Sequence, residues 1–105
     1  MTPKPGEVYI VDMGMEGKQR PVVIVSREDD DAPRAVVLAV PLTSQNRGSQ
    51  YEVTMPRVPW LRLQSYANVQ ALSSFEYHEL LEKRGSFEEK SMDNIKRAIS
   101  WALDL

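Results

Sequence analysis

Residues 21–25, Pro-Val-Val-Ile-Val, constrain this chain more than any other stretch. The run is too continuously apolar to lie half exposed and too short for a buried helix, so it predicts a strand at the centre of a sheet. A polar loop punctuated by Gly14 and Gly17 delivers Arg20 and Pro21 into that strand. The root of Arg20 is therefore held while its guanidinium faces solvent or a ligand, a placement that suits a phosphate.

The remaining segments arrange themselves around this strand. Pro3, Pro5 and Gly6 set a turn, and 7–13 follows with the β-branched and aromatic residues of a first strand. The charged segment 27–33 reads as an exposed connection. Residues 35–40 form a third apolar strand, which Pro41 should close because its missing N–H would cost a ladder bond. A polar loop over 42–49 leads to 51–55, which alternates as a half-buried strand does and is broken by Pro56 and Pro59. Residues 58–61 carry unusual apolar weight for a loop and should pack over a barrel end or against a partner. A fifth strand is expected over 65–72.

The last third changes character. Residues 74–83 place apolar side chains at helical spacing ahead of Gly85 and predict a short helix. Ser86 then opens a Ser-x-x-Glu capping box with Glu89, followed by Met92, Ile95, Ile99 and Leu103 on one helical face. Strands first and helices last describe an α+β domain, a small, strongly curved antiparallel sheet with a helix packed on it.

Length and composition narrow the chemistry. A chain of 105 residues holds one domain, 1–105, with a single core. It has no cysteine and only one histidine, His78, which excludes thiolate zinc sites, a His-rich metal site and a two-histidine acid–base pair. No metal or other cofactor is expected. No apolar stretch approaches the roughly 18 residues of a membrane span. No secretory signal is readable at the N-terminus, so the default location is cytoplasmic, away from a membrane. The net charge of −2 and the pI near 5.4 supply no global positive field, so any nucleic-acid site must be a local patch.

Two groups of residues are candidates for such a patch. Lys18, Arg20 and Arg47 lie in loops flanking the apolar strands, and a guanidinium fork matches phosphate oxygens better than a point charge does. Surface arginines also serve solubility alone. Thr43, Ser44 and Gln45 follow a buried strand, where their hydroxyl and amide groups are placed either to bond phosphate or base edges or to satisfy local backbone. His78 reads as an ordinary helix residue.

At these residues a resemblance appears. Pro5-Gly6-Glu7-Val8-Tyr9-Ile10-Val11-Asp12, then Glu16, Gln19-Arg20-Pro21-Val22-Val23-Ile24-Val25-Ser26, Val40-Pro41-Leu42-Thr43-Ser44-Gln45 and Tyr51-Glu52-Val53 resemble the MazF/PemK family of toxin endoribonucleases. The resemblance implies an SH3-like barrel with a C-terminal helix, usually a homodimer, that cuts single-stranded RNA without a metal and is held inactive by a cognate antitoxin. It maps the catalytic pair to Arg20 and Thr43 and makes Glu16 the candidate general base. Lys18, Gln19, Ser44, Gln45, Arg47 and Gln70 would line the RNA path. Where the family often has an Asp-Gln pair and a nearby basic residue, this chain reads Gln70-Ala71-Leu72-Ser73. That departure keeps a second reading open, a binding module that acts through a protein partner, either the antitoxin or, by analogy with the related CcdB fold, gyrase. A third, purely structural reading assigns the Trp60 and Trp101 surfaces to assembly. The expected dimer surface draws on the third strand, on 56–63 and on part of the C-terminal helix.

Overall fold

The computed structural model describes residues 2–12 and 18–105. Among them, seven antiparallel strands precede one α-helix: β1 (Glu7–Asp12), β2 (Gln19–Ile24), β3 (Val36–Thr43), β4 (Glu52–Thr54), β5 (Tyr66–Asn68), β6 (Ser73–Glu76), β7 (Leu80–Ser86) and α1 (Glu89–Ala102). The sheet runs in the order β4-β5-β3-β2-β1-β7, and β6 also pairs with β3. The run at 21–25 contributes the central strand β2, hydrogen-bonded to β1 on one side and β3 on the other.

Alternation along the central strands fills two apolar clusters. Val8, Val23, Val40 and Leu42 join Met55, Ala67, Val69 and Phe87 beneath Met92 and Ile95 of α1. The opposite positions, Val11, Val22, Ile24, Val37 and Ala39, form a second cluster with Phe75 of β6, against which Tyr9, Tyr77 and Leu80 pack. Burial on both faces is why 21–25 carries no polar alternation. The expected apolar segment 58–61 packs inward, with Val58, Trp60 and Leu61 against the larger cluster. At the N-terminal turn Gly6 has a φ of +94°, and a Cβ there would lie 2.8 Å from the Phe87 carbonyl oxygen, so both conformation and space require glycine.

Four local expectations are corrected. Pro41 does not end the third strand but pairs with Val22 inside β3. The Leu38 carbonyl accepts from the Val25 N–H and so faces β2. Alternation turns the Pro41 nitrogen the other way, into the step where β6 ends opposite Ala39 and β5 begins opposite Leu42. The ladder to β2 therefore loses no bond at Pro41.

The fifth strand stops at Asn68, because its side-chain oxygen accepts from the Gln70 N–H and starts a 3-10 turn over Val69–Ala71. The helix expected over 74–83 is instead β6, one 3-10 turn (Tyr77–Glu79) and β7. Phe75 completes the second cluster, β6 pairs with β3, and β7 pairs with β1, so long-range pairing overrides the helical spacing. Glu76 and Glu79 form a reciprocal capping box around the turn. The Ser86–Glu89 box does not form: Ser86 pairs with Glu7 at the end of β7, and Glu88 caps α1 without a side-chain bond. Within α1 Met92 and Ile95 are buried as expected, whereas Leu103 lies past the helix end and is exposed.

Candidate functional site

Strand register brings the two central candidates together. β2 and β3 pair Val22 with Pro41 and Val23 with Val40, and the same antiparallel count carried outward sets Arg20 across from Thr43. Both sit on the face of the second cluster, at the end where its apolar filling stops. They line one pocket together with Ser44. Its far wall is the strap 61–65, which contributes Arg62, Gln64 and Ser65, while Pro21, Leu42, Leu61 and Leu63 add apolar surface.

The electrostatics of this pocket are one-sided. Among the described residues, two arginines line it and no carboxylate does, in a chain whose net charge is −2. Among the described residues the Arg20 guanidinium has neither an ion pair nor a hydrogen bond. An unpaired cation at a pocket wall is available to an anion. Thr43 Oγ1 accepts a hydrogen bond from the Gln45 N–H at 3.1 Å. That bond uses a lone pair and leaves the hydroxyl proton to donate, so local backbone bonding orients Thr43 as a donor toward the pocket.

Thr43 also borders a second hollow, lined by Gln45, Arg47, Tyr51, Glu52, Asn68 and Gln70 among others. Its wall is a loop organised by Glu52, whose carboxylate accepts from the Arg47 N–H at 3.0 Å, the Ser49 N–H at 3.1 Å and the Ser49 hydroxyl at 3.0 Å. The backbone N–H groups of Ser49 and Arg47 hold this carboxyl below its ordinary range. Thr43 is thus the ridge between a cationic pocket and a polar hollow.

Of the residues expected at the site, Arg20, Thr43 and Ser44 meet in the first pocket, and Gln45, Arg47 and Gln70 join Thr43 at the second. Lys18 and Gln19 are exposed at the entry to β2, line neither hollow, and Gln19 pairs with Asp12. Glu16 lies outside the described residues. His78 is exposed and bonded to Glu76, away from both hollows. Arg62, Gln64, Ser65 and Asn68 were not anticipated. Proximity in sequence gives no sign that 61–65 folds back over β2 and β3; the one available hint was a basic residue inside an apolar segment.

Comparison with known proteins bears on this geometry. The family model described as "PemK-like, MazF-like toxin of type II toxin-antitoxin system" matches residues 4–103. No curated protein matches the chain. Among solved structures, an endoribonuclease in complex with its cognate antitoxin from a mycobacterial species superimposes with a TM-score of 0.86 at 30% identity, covering 99% of this chain and 97% of that one. The Mycobacterium tuberculosis toxin MazF-mt6 gives 0.82 at 25% identity over 94% and 97%. MazF from Deinococcus radiodurans, at 17% identity, shares the fold with a TM-score of 0.83 over 100% and 99%. The match across 4–103 and the identity along nearly the whole chain establish that this protein belongs to the PemK-like, MazF-like family of type II toxin–antitoxin toxins.

Proposed function

We propose that this toxin is an endoribonuclease that cuts single-stranded RNA, mRNA in the cytoplasm, without a metal. The observation that carries the reading is the pocket in which the Arg20 guanidinium, unpaired among the described residues, and the oriented Thr43 hydroxyl meet. The mycobacterial relative at 30% identity is an endoribonuclease, which supports the same class of activity here.

The chemistry follows from the groups present. A ribose 2′-hydroxyl attacks the adjacent phosphorus, the bond to the 5′-oxygen breaks, that oxygen takes a proton from the Arg20 guanidinium or from solvent, and the products carry a 2′,3′-cyclic phosphate and a 5′-hydroxyl. Negative charge grows on the non-bridging oxygens as the phosphorane forms. Arg20 neutralises it, and Thr43 donates a hydrogen bond to the same oxygens. A guanidinium with a pKa above about 12 does not accept the 2′-hydroxyl proton. That proton passes to a carboxylate or to solvent, and Glu16, just ahead of Arg20 in sequence, is the proposed acceptor. The strand flanking the cut runs over the second hollow, where Gln45, Arg47 and Gln70 offer donors to sugar and phosphate.

Two partners complete the reading. A cognate antitoxin binds this toxin, a reading supported by the complex with a cognate antitoxin of the mycobacterial relative. A second copy of the chain packs on the exposed apolar side chains Leu38 and Trp101, which fall on the strand and helix expected at a dimer surface. Sedimentation at micromolar concentration should give a dimer, and a monomer would remove this part.

The test is cleavage of a mixed-sequence RNA by purified protein in EDTA. Wild type should yield cyclic-phosphate ends, and Arg20→Ala should lose roughly 100- to 1,000-fold in rate. Thr43→Ala should fall in the same direction by a smaller factor. Absence of cyclic-phosphate ends, or an Arg20→Ala variant that cuts at the wild-type rate, would refute the mechanism. Growth arrest that survives both substitutions would instead point to a protein target.

A further inference from the structure

The far wall of the cationic pocket has no role in the chemistry above, and its composition is specific. Arg62 is exposed, and among the described residues its guanidinium has no ion pair or hydrogen bond. The strap that presents it is held from several directions. Arg57 donates to the Arg62 carbonyl at 3.4 Å, Leu61 N–H to the Val58 carbonyl at 3.3 Å, and Met55 N–H to the Ser65 carbonyl at 3.0 Å. The Gln64 amide donates to the carbonyls of Met55 and Ser65. The backbone around Arg62 is thus fixed while its charged end is left unsatisfied.

Leu61 and Leu63 on either side of Arg62 give the same wall apolar surface. A phosphate cannot use such surface, but the flat face of a nucleobase can. Ser65, also in the lining, has a buried hydroxyl with no hydrogen-bond partner. Rotation about its single χ1 bond exchanges staggered positions and lets that hydroxyl meet a polar atom on a base edge. Phosphate ligand, apolar wall and unmade polar bond therefore lie in sequence along one strap, opposite Arg20 and Thr43.

We infer that 61–65 is the binding subsite for the nucleotide next to the scissile bond, with Arg62 on its phosphate, Leu61 and Leu63 against its base and Ser65 on the base edge. The inference rests on the RNA-cleaving reading for its substrate, and it gives the strap the tasks of affinity and base preference while Arg20 and Thr43 handle the reacting phosphate. Arg62 is a binding group whose loss leaves the chemical step intact.

The experiment uses the whole protein and an oligoribonucleotide carrying one 2′-deoxy sugar at the cleavage position, which binds but lacks the nucleophile. Its dissociation constant is measured against salt for wild type, Arg62→Ala, Arg62→Lys and Ser65→Ala, beside steady-state cleavage of the all-ribose strand. Arg62→Ala should weaken binding about 10-fold at low salt and lower the slope of log K against log salt by about 0.7, the value for one phosphate contact on a single strand. Its kcat should stay near wild type while KM rises, and Arg62→Lys should restore the slope. Ser65→Ala should flatten preference among the four bases at one position without lowering the melting temperature, since no native bond is removed. Wild-type affinity and slope in Arg62→Ala, or a fall in its kcat with KM unchanged, would overturn the subsite. Unaltered base preference in Ser65→Ala, or a loss of its stability, would overturn the base contact. Failure of wild type to cut RNA would sink the nuclease reading alone, because binding of the 2′-deoxy strand and its salt slope still report on the strap.

Discussion

Gly85 offers a sharp test of how the strap is held. It pairs with Val8 in the β7–β1 ladder and lies directly against the Trp60 ring. A Cβ at position 85 would stand 2.3 Å from Trp60 Cε2 and 2.4 Å from Cδ2, whereas ordinary contact begins at 3.4 Å. In Gly85→Ala the indole must retreat by about 1 Å. The ring is also tilted against Phe87, centroid to centroid 5.0 Å, so retreat loosens that contact as well. The backbone at Gly85 is outside the left-handed region, which makes the penalty steric and not conformational. Overpacking of this kind typically costs about 1–3 kcal/mol. For a domain of this size each kcal/mol lowers Tm by roughly 4–8 °C. Thermal and urea unfolding of Gly85→Ala, Trp60→Ala and the double variant form a cycle. With the ring gone, Gly85→Ala should cost nothing and gain about 0.4–1 kcal/mol from a less disordered unfolded chain. An equal penalty in both backgrounds would refute the steric account. Because Trp60 immediately precedes the strap, Gly85→Ala should also raise KM for RNA.

Two further outcomes concern carboxylates. Glu52→Ala removes the acceptor shared by Arg47 and Ser49, so hydrogen exchange at those two amides should accelerate while the amides of β2 stay protected; continued protection at Arg47 would show that the loop has another anchor. Glu7 is pushed up by burial, but bonds from the Lys4 N–H, the Lys83 ammonium and the Tyr9 hydroxyl outweigh burial and leave its pKa below the ordinary 4.5. A folded-state pKa below the unfolded one gives stability that is complete above the unfolded value and is lost as pH falls through the folded one. Lys83 Nζ stands 2.7 Å from Glu7 Oε2 and ties β7 to β1. The urea midpoint of wild type should therefore drop further between about pH 6 and about pH 3 than that of Glu7→Gln. Parallel losses in the two proteins would remove Glu7 as a source of acid sensitivity.

Much of the fold was legible because local signals and tertiary need agreed. The unbroken run at 21–25 demanded burial on two faces, and β2 receives it from two clusters. Met92 and Ile95 at helical spacing packed as a helix should. Where local pattern and long-range pairing competed, pairing won. Residues 74–83 carry a helical spacing of apolar side chains, yet Phe75 was needed in the second cluster and the edges of β1 and β3 were open to β7 and β6. Pro41 reads locally as a strand end, and only the change of partner from β6 to β5 shows why it is harmless.

The candidate site divides in the same way. The sequence alone determined that an arginine enters a central strand, that a threonine, serine and glutamine follow another, and that neither thiolate nor paired histidines are available for chemistry. These follow from residue identity and from neighbours a few positions apart. Only the tertiary structure decided that Arg20 and Thr43 share a pocket, that Gln45 orients the Thr43 hydroxyl, and that the strap 61–65 closes the far side with Arg62. Those relations depend on strand register and on a loop folding back over two strands far earlier in the chain. Such contacts are set by the global packing of two clusters, which no local window of the chain contains.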